Sequence, residues 1–243
     1  MTALRVLAPR PSAARNLVCF PHAGGSANFF RAWAADADTE VAAVQYPGRA
    51  DRLAEPCHDD LLALAAEVAA ELIPYLERPT TFFGHSMGAI LAFEVVRHVA
   101  AAGRAVELLI ASAARAPHDP DHVTARHVRW DEEAAVRAVV AMGQTDAAVM
   151  ADPRVRALVL PYLRADFEML QRYEYRPGPA LGCDVLVVRG AADPHVTPAR
   201  GELWRELTTG RFAHEEVPGG HFYLVPEPPI DLFLGARSQP ARP

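Results

Sequence analysis

The tightest constraint in this chain is Gly84-His85-Ser86-Met87-Gly88, a G-x-S-x-G pattern set between two runs of opposite character. Before it, Thr80 to Phe83 is β-branched and aromatic, the make-up of a buried strand. After it, Ile90 to Val99 carries apolar residues at helical spacing. A strand that turns straight into a helix needs a sharp bend, and that bend pushes the serine hydroxyl out at the top of a sheet. Glycine two residues before and two after the serine removes Cβ atoms that would clash in the bend. The helix beginning at the serine also aims unsatisfied N–H groups at any negative oxygen formed there. A Gly/Ser turn without chemistry is the plain alternative, and the strand before and helix after argue against it.

The rest of the chain keeps the same rhythm. Leu17 to Phe20 and Val41 to Tyr46 are short apolar runs, stopped by Pro21 and by Pro47-Gly48. Asp59 to Tyr75 has helical spacing, with Leu61, Leu64, Ala65, Val68 and Leu72 on one side. Val106 to Ile110, Asp184 to Arg189 and, more weakly, Phe212 to Val217 read as further strands. Strand and helix in alternation predict one α/β domain over residues 1–243, with a mainly parallel central sheet covered by helices on both faces. From about residue 115 to residue 178 the rhythm changes. Residues 131–142 and 152–175 have helical patterns, and Pro161 should start or kink a helix. A helical insertion between two strands of an open sheet commonly covers the site at the strand ends, so this stretch is expected to be a lid. An ordinary pair of packing helices is the alternative. Residues 235–243 read as a loose tail.

Composition excludes several classes. The formal charge is 24 − 30 = −6, and all the basic residues are Arg. That is the wrong field for a nucleic-acid surface. The apolar stretch from Leu61 to Leu76 is interrupted by Glu67 and Glu71, so no membrane span is expected. Arg5 and Arg10 precede no apolar segment of signal-peptide length. Cys19, Cys57 and Cys183 are odd in number and far apart, which suits buried thiols in a reducing cytoplasm.

A serine hydroxyl is a weak nucleophile until a base takes its proton. In folds of this kind the chain order is serine, acid, histidine. Asp193 follows a strand end in Arg189-Gly190-Ala191-Ala192-Asp193-Pro194, at the edge where Ser86 should emerge. His195 is a rival base, but it lies two residues from Asp193 and is badly placed to be oriented by it. His221 comes 28 residues after Asp193, in Val217-Pro218-Gly219-Gly220-His221-Phe222, past another strand and a flexible turn. The roles expected are nucleophile for Ser86, general acid/base for His221 and orienting anion for Asp193. Taken singly, Asp193 also reads as a turn residue before Pro194 and His221 as a loop histidine. The backbone N–H groups of Ala23, in Pro21-His22-Ala23-Gly24-Gly25-Ser26, and of Met87 are the expected oxyanion donors. A phosphate-cradling role for that loop is disfavoured, because the chain has no Lys and no P-loop pattern.

His118-Asp119-Pro120-Asp121-His122, with His127 nearby, has metal-ligand residue types. Its place in the insertion and its proline read as a solvated loop, and no metal or cofactor is expected. Trp33 with Phe29 and Phe30 reads as core.

These blocks resemble a known family. Phe20-Pro21-His22-Ala23-Gly24-Gly25, Tyr46-Pro47-Gly48-Arg49, the Gly84 to Gly88 motif, Pro161-Tyr162-Leu163-Arg164-Ala165-Asp166-Phe167 and Pro218-Gly219-Gly220-His221-Phe222 are similar, in this order, to blocks of the type II thioesterases of the α/β-hydrolase superfamily. The resemblance runs from about residue 16 to residue 233. Gly190 to Pro194 matches the family's catalytic-acid block, and Ala50 stands where the family usually has an acidic residue. The resemblance implies an α/β-hydrolase fold with a helical lid. It implies hydrolysis of stalled or wrong acyl groups from the phosphopantetheine arm of acyl or peptidyl carrier proteins in polyketide and nonribosomal peptide synthesis. A monomer is expected, with any docking on acidic carriers made by arginines of the insertion. Met1 stands sixteen residues before the first expected strand, which suggests a free-standing enzyme. A general carboxylesterase, a product-releasing thioesterase and a non-catalytic ligand-binding scaffold of the same fold are the alternatives.

Overall fold

The computed structural model describes residues 2–33, 38–120, 130–141, 147–225 and 228–235. Seven strands form one sheet: β1 (Leu4–Val6), β2 (Arg15–Phe20), β3 (Thr39–Val44), β4 (Thr80–His85), β5 (Leu108–Ser112), β6 (Asp184–Gly190) and β7 (Phe212–Val217). Their order across the sheet is β1-β3-β2-β4-β5-β6-β7. All neighbours are parallel except β1 and β3.

The strands alternate faces, and both faces are apolar. Val18, Phe20, Phe82, Leu109, Val185 and Val187 enter one core cluster. Leu17, Cys19, Phe83, Leu108, Ile110, Leu186 and Val188 enter the other. A sheet buried on both sides must be covered twice. The first cluster is covered by α1 (Leu61–Leu72) and α2 (Met87–Ala101), with Trp204 from a short 3-10 helix. The second is covered by the 3-10 helix Ala27–Trp33 and by α7 (Ile230–Gly235). The α1 helix begins where the sequence requires: the Asp60 side chain accepts from the N–H groups of Leu62 and Ala63. Phe30 and Trp33 are core, as expected, while Phe29 is half-buried against the His22 ring.

Between β5 and β6 stand α3 (Glu132–Ala141), α4 (Ala147–Ala151) and α5 (Pro153–Arg172). The expected helical insertion is present. Pro161, however, starts no helix: α5 begins at Pro153, capped by the Asp152 side chain, and runs through Pro161. Proline in a helix interior loses one bond to the preceding turn, and the remaining turns of a 20-residue helix carry it. A short α6 (Pro198–Glu202) follows β6. The first strand is not at Leu17: β1 precedes it, paired antiparallel to β3 at the sheet edge. Three residues show too little alternation for a sequence pattern to register. The separation between Met1 and the first strand therefore carries no argument. Of the tail expected over residues 235–243, Gly235 instead closes α7, and 236–243 lie outside the described residues. Among the described residues, no helix is long and apolar enough to cross a membrane.

Phe83 is fully buried beneath the rings of Phe30, Trp33 and Phe233, with centroids 5.9, 4.7 and 4.8 Å away. Phe83→Ala should cost about 3–5 kcal/mol, read as a lower urea midpoint with an unchanged slope.

Candidate active site

Parallel pairing brings the carboxyl ends of β2, β4, β5, β6 and β7 to one edge. Phe20 pairs with Gly84, His85 with Ser112, Ser112 with Val188 and Gly190 with Val217. Ser86 stands just past β4 with φ 55° and ψ −120°, a left-handed backbone that a non-glycine residue rarely adopts. Such strain costs on the order of 1–3 kcal/mol and persists only where the surroundings impose it. Here they do. The Ser86 N–H donates to Ser112 O at 2.8 Å. The first turn of α2 lies against the end of β2 so closely that a Cβ on Gly88 would fall 2.1 Å from Phe20 O. A Cβ on Gly84 would fall 2.4 Å from Gly88 O. The two glycines of the motif are therefore required by backbone contact.

Asp193 follows β6 with its side chain wholly buried. Its two oxygens have different partners. Oδ2 accepts from His221 Nδ1 at 2.8 Å, and Oδ1 accepts from the His195 backbone N–H at 2.8 Å. His195 thus serves Asp193 through its main chain, while His221 takes the ring contact. Burial raises the Asp193 carboxyl, but the hydrogen bond and charge of His221, together with His195, outweigh it and hold the group below the ordinary carboxylate range. With Nδ1 engaged, Nε2 of His221 is the ring nitrogen left for chemistry. The His221 ring lies 5.3 Å, centroid to centroid, from His85, the residue before Ser86.

The loop bearing His221 is anchored by groups that sequence reasoning missed. Tyr223 and His85 Nδ1 both reach Ser112 Oγ, at 2.7 and 2.8 Å, which ties the ends of β4 and β5 to the turn after His221. Phe222 sits edge-on to His22 and His85, at 5.1 and 4.9 Å. Burial, then the charges of His221 and His22, push His85 well below the usual histidine range, so it stays neutral. The signal for this network was the β4–β5 register, which no local pattern reports.

The loop after β2 is held from three sides. Tyr46 OH donates to Pro21 O at 2.9 Å, and the Ala27 N–H donates to Gln45 Oε1 at 3.1 Å. The Gly24 N–H donates to Asp166 of α5 at 2.8 Å, and the Gly25 N–H to His22 O at 2.9 Å. Among the described residues, the N–H groups of Ala23 and Met87 donate to no protein acceptor. Of the metal-type run, His118 contacts Glu206 at 3.1 Å, and Asp121, His122 and His127 lie outside the described residues. Among the described residues, no group of three or more His, Cys, Asp or Glu is placed to hold a metal ion.

Comparison with known proteins gives a consistent picture. The model of the thioesterase domain family matches residues 15–231. The chain is 41% identical over 224 residues to the probable cadicidin biosynthesis thioesterase of Streptomyces griseus. That match covers 91% of this chain but 62% of the relative, so the chain spans less than two thirds of that protein. It is 38% identical over 226 residues to thioesterase PikA5 of Streptomyces venezuelae, covering 91% and 79% of the two. Among solved structures, the type II thioesterase BorB from the borrelidin biosynthetic cluster aligns with a TM-score of 0.82 at 37% identity, covering 97% of this chain and 96% of that one.

The Asp193 geometry has a signed consequence for stability. An Asp whose folded pKa lies below its unfolded value of about 3.9 adds stability above that pH and loses it as pH falls through the folded value. The stability difference between the wild type and Asp193→Asn, measured by urea unfolding, should therefore shrink as pH falls below about 4.

Proposed function

The chain belongs to the thioesterase family, and from that premise we propose that it hydrolyses acyl groups carried as thioesters on the phosphopantetheine arm of acyl or peptidyl carrier proteins. The observation that carries this reading is the 2.8 Å bond between His221 and Asp193 at the sheet edge where Ser86 occupies its strained elbow. The likeness to thioesterases of polyketide and nonribosomal peptide clusters supports the substrate class.

In the proposed reaction, His221 Nε2 accepts the Ser86 hydroxyl proton while Oγ attacks the thioester carbonyl. The carbonyl oxygen becomes an anion, held by the N–H groups of Ala23 and Met87. When the C–S bond breaks, the thiol leaves with the proton returned by His221, and the acyl group remains as an ester on Ser86. His221 then deprotonates a water that attacks this ester. The acid departs, and Ser86 recovers its proton. Asp193 keeps Nδ1 of the ring protonated and stabilises the imidazolium formed in each step. No cofactor enters; phosphopantetheine arrives as part of the substrate. The insertion helices act as the lid that excludes bulk water and shapes the acyl pocket.

Three outcomes test this. Release of acids from a panel of acyl carrier proteins should exceed release from matching small thioesters; equal rates would favour a general esterase. A fluorophosphonate probe should label the wild type and not Ser86→Ala, whereas an unlabelled, folded wild type would point to a scaffold. Asp193→Asn should lower kcat by about 10⁴-fold, because the wrong tautomer of His221 is then favoured.

The carrier partner implies a further result. Arg154 and Arg164 are exposed on α5. Reversing both to Glu should slow carrier-linked turnover by about tenfold at low salt through the association rate, and leave a small soluble thioester unaffected.

A further inference from the structure

We propose that Asp166 is the positioning residue of the oxyanion loop, so that the Ala23 donor is in place only while α5 is seated. This inference rests on the thioesterase reading above.

Asp166 lies on α5, far along the chain from the loop after β2, and is 2% exposed. Arg49, also 2% exposed, meets it as a fork: Nη2 donates to Oδ1 at 2.6 Å and Nη1 donates to Oδ2. A buried ion pair of this kind is a weak source of net stability, because removing both charges from water offsets most of their attraction. Its placement says more. Oδ2 also accepts the Gly24 N–H at 2.8 Å, one residue after the proposed donor. Arg49 Nη1 reaches Gly25 O at 3.3 Å, so the same pair grips the loop at two consecutive residues.

Packing reinforces the grip from the same helix face. Leu163 seats against Gly24, where a Cβ would fall 2.6 Å from Leu163 Cδ1. Gly24 itself has φ +77°, which orients the peptide on its N-terminal side. The Arg49 guanidinium lies over the Tyr162 ring, 4.7 Å from its centroid. Tyr162, Leu163 and Asp166 are thus spaced as one helical face that reads the loop. The Gly25 N–H bonds His22 O, whose peptide plane also carries the Ala23 N–H, and the Gly24 N–H bonds Asp166, so Asp166 sets where this turn, with its Ala23 N–H, is placed. If α5 moves off, the loop loses its side-chain acceptor and its leucine contact together.

Charge and hydrogen bonding are separable by mutation. The double variant Arg49→Met/Asp166→Leu removes both charges and leaves the Gly24 N–H without its acceptor. Asp166→Asn keeps an oxygen for that N–H but leaves the Arg49 charge unpaired. The expected result is crossed. The double variant should keep a Tm near the wild type yet lose at least tenfold in kcat on a small acyl thioester, with KM nearly unchanged. Asp166→Asn should lose more Tm than the double variant but less kcat, read at a temperature where it is folded. A trifluoromethyl ketone analogue, whose Ser86 adduct carries the oxyanion, should weaken in step with kcat in the double variant. Binding of the product acid should not change.

A folded double variant with wild-type kcat would overturn the proposal, as would equal losses in kcat and product-acid binding. Should the double variant fail to fold, Asp166→Glu asks the same question: it keeps the charge but displaces the acceptor oxygen by one methylene. Lower kcat at near-normal Tm supports the proposal, and unchanged kcat overturns it. Wild type that neither turns over the thioester nor reacts with the fluorophosphonate would remove the thioesterase reading, and this inference with it. Turnover by the wild type with an undamaged double variant would remove the inference alone.

Discussion

The backbone of Ser86, held at positive φ between β4 and α2, is the constraint on which the rest of the site depends. A serine left to itself would relax from this conformation. It is kept there by contacts that also order everything around it. The bond to Ser112 O docks the bend on β5. The close approach of Gly88 to Phe20 O docks the start of α2 on the end of β2, and so sets the level at which the next loop begins. One strained residue thus ties three strand ends to a common height. The α2 helix, buried along most of its length, supplies the packing that offsets the strain.

From that shared height the other groups converge through a polar network with little slack. Asp193, His85 and Ser112 are buried, and buried polar groups are costly unless paired. Asp193 is satisfied by a ring and a backbone N–H, and Ser112 by a histidine and a tyrosine. These pairings permit few alternatives, which makes the loop after β7 an extension of the sheet edge. His221 is then positioned by its neighbours Phe222 and Tyr223 as much as by Asp193. The neutral His85 alongside adds no positive charge to oppose an imidazolium at His221.

The insertion joins this arrangement from the far side. Its helix α5 reaches the core through Met169, and Tyr173, which caps the helix, donates its hydroxyl to Glu94 of α2 at 2.6 Å. Nearer its middle it meets the loop after β2 through Asp166 and Leu163. Helix and loop therefore share an anchor in the sheet's helical layer.

Much of this protein is legible in its residues taken in order. Strand and helix alternation dictates a mainly parallel sheet covered on both faces, because strands β2 to β6 show apolar residues at both parities. Glycines flanking Ser86 dictate a bend, because no larger residue fits one. Asp193 and His221 stand out by following strands, and their 2.8 Å contact is where chain order and geometry agree. Other features have no local signature. β1 is too short to show a period, and Pro161 marks a break that the surrounding turns of α5 bridge. The grip of Asp166 and Arg49 on Gly24, and the meeting of His85, Ser112 and Tyr223, join residues that are distant in the chain. Sequence by itself determined most of the elements and which residue types stand at their ends, since periodicity and turn preference act between near neighbours. Which groups face each other was decided by the tertiary structure alone, since burial of polar side chains is settled by partners that only folding brings within reach.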